Sequence, residues 1–453
     1  MISTLSKKVK NFLEIGHERT LKIKKNIIYT FLIRGTSVLI GFMLLPLTIH
    51  YIDGVQYGIW ITIASMVAWI NTFDIGLSNG LRNKLAHSIA IDERENIVKD
   101  IANTYALLFI IASIFFISFF VVGSFFNWNM LFNIQKSINY DIWPIILIAL
   151  GGFCLQFILQ PINSILIATH QPFRSALILL IGQALTFILI FFLKMFTVGN
   201  LYILVIIASG SPVFTLLVSG FYLYKTSLKN FAPKFDAIQL KKSSGLVTTG
   251  GMFFFIQLGA LILFETDNIV ITKTLGPLEV TNFNIAFKYF SIITVAFGVI
   301  ITPYWSAFTD AFAKNDFKWI KDSINKMLFV WMFFALFSIL LYFLSATLYR
   351  LWIGENIVIP SLLSISLAVY VNAVVWNVIF AYLLNGIGKL RVELIMMVST
   401  AVLNIPLSVF LIHRIGVSGT VIANIIVFLI MNVTITYQCK LILNKKAKGI
   451  WNR

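Results

Sequence analysis

Charge is what this chain has least of. Of its 453 residues 12% are charged, against 59% hydrophobic and 15% aromatic. Soluble domains carry about 25% charged residues, so the chain lacks the polar surface that would cover a water-soluble globule. Acids are scarcer than bases, 18 Asp and Glu against 35 Lys and Arg, for a formal charge of +17. That excess does not point to nucleic acid, because the bases sit in short segments between apolar runs and form no nucleic-acid-binding motif. Two cysteines, Cys154 and Cys439, exclude a disulfide framework or a zinc site. The five histidines, His17, His50, His87, His170 and His413, are scattered over loops and span ends. Metal-ligand spacing, a P-loop and a nucleophile elbow are all missing, so no catalytic residue, metal centre or cofactor is expected. The basic first 25 residues lead into an apolar run without a small-residue cleavage pattern, and no signal peptide is read there.

What the sequence does have is apolar runs long enough to cross about 30 Å of hydrocarbon as helices. They fall near 26–50, 57–78, 101–122, 143–167, 175–193 and 200–224, then 247–273, 281–303, 325–347, 359–384, 392–412 and 417–439. Leu, Ile and Phe richness without period-2 alternation favours helices over a barrel. Of the 35 Lys and Arg, 28 fall on the side of the amino terminus and five on the opposite side, alternating across the connections. The positive-inside rule therefore predicts twelve spans with both termini cytoplasmic.

The halves repeat at an offset of 222 residues. Gly54 matches Gly276, Ile63-Ala64 matches Ile285-Ala286, and Lys99-Asp100 matches Lys321-Asp322. In each half the second span runs into an amphipathic stretch, and "LIATHQPFR" and "LNGIGKLRV" occupy the same turn. Six spans per half make a parallel repeat, and transporters built this way place the substrate path between the bundles. The expected fold is an all-α integral membrane protein, twelve transmembrane helices in two parallel six-helix bundles around a central cavity. Its parts are a basic segment 1–25, a bundle 26–224, a linker 225–246, a second bundle 247–439 and a basic tail 440–453.

Four stretches share a family likeness: "GVQYGIW" (54–60), "FDIGLSNGLRNKLA" (73–86), the spacing from Asp267 to Gly276, and "YLLNGIGKLR" (382–391). In order and placement the chain resembles the lipid-linked O-antigen repeat-unit flippases (Wzx type) of the multidrug/oligosaccharidyl-lipid/polysaccharide exporter superfamily. The resemblance implies a bacterial cytoplasmic membrane protein that moves an undecaprenyl-pyrophosphate-linked oligosaccharide to the outer leaflet. It also implies alternating access driven by a proton or Na⁺ gradient, and contact with a polysaccharide polymerase that takes the flipped unit.

Ionisable groups inside spans are functional candidates by default. Arg34 lies eight residues beyond Asn26, about 12 Å along a helix at 1.5 Å per residue. It is either a snorkelling side chain or a cation for pyrophosphate or an acidic sugar. Lys288 follows the short connection after the seventh span, which carries Glu265 and Asp267. One lysine cannot neutralise two carboxylates, and residues two apart on a helix point about 200° apart. One acid is thus expected to pair with Lys288 and the other to face the cavity. The spacing to Gly276 matches that of the family's seventh-span aspartate, so by resemblance Asp267 is the residue that would couple a proton or Na⁺. Asn71, Asp74 and Asn372 are candidate substrate contacts, with helix capping by Asp74 and interhelical hydrogen bonding by the asparagines as the simpler roles. A cation-coupled multidrug antiporter is the alternative within the superfamily. A polymerase or ligase is the alternative outside it, disfavoured because no outward connection exceeds about twenty-five residues.

Overall fold

The computed structural model describes residues 18–68, 77–90, 94–133, 141–169, 171–238, 266–355 and 357–452. Among these residues there is no strand, and ten helices are long and apolar enough to span a bilayer. In chain order the helices of the first half are α1 (Glu18–Ile52), α2 (Gly54–Ala68), α3 (Leu77–Ala90), α4 (Arg94–Gly123), the single turn α5 (Trp128–Leu131), α6 (Ile142–Leu159), α7 (Pro161–Ala168), α8 (Pro172–Phe196) and α9 (Leu201–Lys225). The second half holds α10 (266–275), α11 (Pro277–Ile301), α12 (Tyr304–Ala313), α13 (Phe317–Ile353), α14 (Ser361–Ile387), α15 (Arg391–Ile415) and α16 (Ser418–Leu443).

Where they are described, the spans fall where the apolar runs place them, with two refinements; residues 69–76 of the second span and 247–265 of the seventh lie outside the described residues. The run at 143–167 is two helices, because Pro161 has no amide to bond the Phe157 carbonyl and the chain re-initiates there. The amphipathic stretches form the separate helices α3 and α12, and each is followed by a span that starts earlier than its apolar run, at Arg94 and Phe317. The repeat survives in the helix starts. Gly54 and Pro277 are 223 residues apart, as are Arg94 and Phe317; the interval is 219 for α6 and α14 and for α8 and α15, and 217 for α9 and α16.

Contacts divide the chain into two units, one of residues 1–52, 70–126 and 141–254, the other of 53–69, 127–140 and 255–453. In the first, α3 buries Leu81 and Leu85 against Ile97 and Ile101 of α4 and Ile162, Ile165 and Leu166 of α7. Its amphipathic helix is thus docked on the bundle rather than standing apart. In the second, α2 packs on α11, the helix at the equivalent place in the repeat, and Thr281 Oγ1 donates to the Gly54 carbonyl at 2.5 Å. A glycine makes this approach possible, since a Cβ on Gly58 would lie 1.8 Å from the Pro277 carbonyl oxygen.

Gly58→Ala should therefore force α2 and α11 apart and destabilise the protein by about 1–3 kcal/mol, the usual cost of overpacking. Gly210→Ala on α9, where the added methyl meets nothing within 4 Å, should leave stability unchanged or slightly raised. Thermal unfolding of both variants in detergent, followed by size exclusion, measures the difference.

Candidate functional site

The described end of the seventh span begins with Thr266, Asp267 and Asn268, three consecutive polar residues, all buried. Such a triplet leaves a helix no apolar face at that level, so its partners must come from several neighbours. Asp267, 3% exposed, accepts a hydrogen bond at Oδ2 from Asn424 Nδ2 on α16 at 2.6 Å. Asn424 in turn accepts from Asn404 Nδ2 on α15, also at 2.6 Å. Tyr370 of α14 lies within electrostatic range of the carboxylate and packs on Phe428 of α16, with ring centroids 5.7 Å apart.

Asn268 faces the other way. Its Nδ2 donates to Ser65 Oγ on α2 at 2.7 Å, and its Oδ1 accepts from Asn284 Nδ2 on α11 at 2.8 Å. One turn along, Thr272 Oγ1 meets Thr62 Oγ1 at 2.5 Å. Adjacent residues on α10 thus anchor two chains of amide and hydroxyl groups, one across α15 and α16, the other across α2 and α11. Hydrogen bonds of this kind hold helices together where the hydrophobic effect cannot discriminate among them. The carboxylate of Asp267 is the one acidic group in these two chains.

Lys288 is half-buried on α11, one turn beyond Asn284, so Asp267 and Lys288 lie on the two arms of the turn at Gly276–Pro277. Glu265, Asn71 and Asp74 fall outside the described residues. Asn372 is bound into the junction of α13 and α14. Its Nδ2 donates to Ser338 Oγ and to the Ala368 carbonyl, each at 2.7 Å, while its own carbonyl accepts from Trp331 Nε1 at 3.0 Å. That is the interhelical role open to an asparagine at this depth. Arg34 is exposed on α1, in the first unit, one turn before Ser37, whose Oγ bonds Gln183 on α8.

Asp267 is conspicuous in the sequence, whereas Asn424, which bonds it, and Asn404, Asn268 and Asn284 of the two polar chains are not. The available signal was asparagine recurring inside the seventh, eighth, eleventh and twelfth spans, which says that partners exist without saying which residue meets which. Among the described residues no three His, Cys, Asp or Glu side chains gather as metal ligands.

Long apolar helices with polar groups buried between them have the build of an integral membrane protein. Among solved structures the chain is similar to an inward-facing multidrug resistance MATE family transporter of the MOP superfamily, with a TM-score of 0.66 and 16% identity. The match covers 92% of this chain and 96% of that one, and at this identity it establishes the fold. The family described as "Polysaccharide biosynthesis protein" matches residues 23–309, and the chain belongs to that family. The chain is 24% identical over 376 residues to the "Putative O-antigen export protein" of Yersinia pseudotuberculosis, covering 79% of this chain and 82% of the relative. It is 21% identical over 383 residues to the "Putative O-antigen transporter" of Salmonella typhimurium, covering 82% and 86%.

Asn424→Leu should orphan both Asp267 Oδ2 and Asn404 Nδ2 and cost about 1–3 kcal/mol, the penalty for an unmade buried hydrogen bond. Asp267→Asn keeps an oxygen that accepts from Asn424, so its unfolding temperature should stay close to that of the wild type. Fluorescence-monitored unfolding of the two variants side by side checks the contrast.

Proposed function

We propose that this protein exports a surface-polysaccharide precursor, flipping an undecaprenyl-pyrophosphate-linked oligosaccharide from the cytoplasmic to the outer leaflet of the bacterial inner membrane. Family membership, the transporter fold and the O-antigen names of the relatives support an exporter of this class. The observation that carries the mechanism is Asp267, an acid buried in a span and held by the amide of Asn424, which is itself tied to Asn404 on a third helix.

The physics of the cargo suits the proposal. A sugar pyrophosphate cannot cross hydrocarbon unaided, whereas its polyprenyl tail never needs to leave it. A protein that offers cations and hydrogen-bonding groups to the head while the tail stays in lipid lowers the crossing cost. In this reading Arg34 and Lys288 attract the pyrophosphate or an acidic sugar, and Asn71, Asp74 and Asn372 lie along the path. Asp267, with Glu265 two residues before it, takes up a proton or Na⁺ that biases the alternation between inward and outward access. Both termini are cytoplasmic, as the lysine and arginine asymmetry implies, and a polymerase receives the flipped unit.

The MATE likeness favours one rival, a cation-coupled multidrug antiporter. A pocket for cationic drugs calls for acidic and aromatic lining, and the intramembrane Arg34 and Lys288 weigh toward an anionic cargo.

In a strain lacking its own O-antigen flippase, and supplied with repeat units of several structures, the wild-type chain should restore O-antigen ladders on lipopolysaccharide gels. Asp267→Asn should reach normal membrane levels yet leave the ladders at background. Full ladders with that variant would remove Asp267 from coupling. Failure of the wild type with every repeat unit, together with raised drug tolerance, would favour the antiporter.

A further inference from the structure

The stretch "YLLNGIGKLR" (382–391) takes no part in the proposed transport chemistry, yet several elements converge on it. A Cβ on Gly386 would lie 2.8 Å from the Trp305 carbonyl oxygen, and Thr309 Oγ1 of α12 donates to the Gly386 carbonyl at 2.7 Å. Gly388 takes the left-handed φ of +73° that ends α14. Lys389 Nζ donates to the Asn452 carbonyl at 2.6 Å, and the Trp451 ring meets Tyr437 edge-on at 5.4 Å. The short 3-10 turn Gly449–Asn452 is thereby clasped against the α14–α15 turn and α16. Gln438 of α16, fully buried, directs its amide nitrogen at two carbonyls of this junction, Lys389 at 3.4 Å and Trp451 at 3.3 Å.

Beside this clasp sits an acid that the transport reading does not use. Glu393, in the first turn of α15, is 6% exposed. Its Oε1 accepts from Asn385 Nδ2 at 3.4 Å, while Oε2 has no hydrogen-bond partner among the described residues. Gln438 Oε1 has none either. Helical side chains lean toward the helix N-terminus, which carries Glu393 toward the Lys389 turn where the Gln438 amide also lies. Cys439, the neighbour of Gln438, is within electrostatic range of the Glu393 carboxyl, and its buried thiol points to the Phe380 carbonyl at 3.9 Å.

Among the described residues the charged groups nearby do not balance this acid. Lys389 is directed at Asn452, Arg391 and Lys440 are exposed, and Asp310 on α12 pairs with Lys314 at 2.8 Å. A buried carboxylate without a cation is costly, and so is a buried acceptor without a donor. A proton on Glu393 would give a buried carboxyl a neutral form and supply a donor to an oxygen that lacks one.

We propose that Glu393 is a proton-binding residue distinct from Asp267, whose Oε2–H donates to Gln438 Oε1 and thereby locks the Gly449–Asn452 clasp. With that bond made, both hydrogens of the Gln438 amide face the Lys389 and Trp451 carbonyls. Loss of the proton to solvent leaves a carboxylate, which attracts an amide N–H in place of the amide oxygen. Gln438 then turns over, its oxygen faces the two carbonyls, and the clasp opens. Occupancy of this end of the second unit thus follows the pH of the compartment that bathes it.

The full chain in lipid nanodiscs tests the idea with two readouts. In infrared spectra taken at neutral pH, wild type minus Glu393→Gln should show a protonated-carboxyl C=O band that fades on alkaline titration. A carboxylate difference at neutral pH would overturn the assignment. Trypsin cleavage at Lys445, Lys446 and Lys448, normalised to an unstructured reference peptide, reads the clasp. The wild-type rate should rise several-fold on going alkaline, while Glu393→Gln stays slow, because its amide donates to Gln438 at every pH. Gln438→Leu, which has no amide to clasp with, should be cut fast throughout. The same pH response in wild type and Glu393→Gln, or slow cleavage of Gln438→Leu, would refute the clasp.

Discussion

Everything in this structure answers to one constraint: a polar group placed in hydrocarbon must find its partner inside the protein. Hydroxyls meet it locally, as Thr62, Thr104, Thr186, Thr215, Thr272 and Thr400 each donate to a carbonyl one turn back on their own helix. Asparagine cannot be satisfied so cheaply, because its amide offers two donors and an acceptor. It therefore reaches across helices. The pairs Asn268–Asn284, Asn404–Asn424 and Asn377–Asn432 fasten α10 to α11, α15 to α16, and α14 to α16. The cost of breaking any of these makes the helix registers specific, and a specific register is what lets an acid such as Asp267 be held at a defined place.

The repeat sharpens the point. At the offsets that relate the two halves, Asp267, Asn404 and Asn424 correspond to Leu45, Leu185 and Ile207. One ancestral helix order thus carries a polar chain in the second half and apolar packing in the first. Among its described residues the first unit does without such a chain. Its polar ties are different, among them Tyr105 with Tyr224 at 3.0 Å and Ser175 with Asn163 at 2.9 Å. Among the described residues a buried acid with amide partners occurs in the second copy alone, and there the same bonds that fasten the helices hold the acid on which the proposed transport rests.

Span number, helix class and the repeat were legible because they depend on runs and periods, which a sequence displays directly. The docked helices α3 and α12 were legible for the same reason. Asp267 stood out because one carboxylate among apolar residues is conspicuous at any register. Its partners were hidden, since Asn424 lies 157 residues away and only the packed bundle says which asparagine comes within reach. Glu393 was hidden for another reason. It begins a span, where acids are ordinary and stabilise helix N-termini, and only burial together with an orphaned oxygen separates it from a capping residue.

The turn occupied by Glu393 closes the comparison between halves. Its repeat counterpart is Arg174, likewise the third residue of its helix, which reaches out to Ser227 Oγ at 3.0 Å. A guanidinium only donates hydrogen bonds, so that junction in the first unit has a single hydrogen-bonding pattern. A carboxyl at the same place in the second is neutral or charged according to its surroundings. Duplication thus left two helix starts at matching places in the repeat, one bearing a group that only donates and the other a group that titrates. Only the second can convert a change in proton activity into a change of hydrogen bonding, through the amide of Gln438.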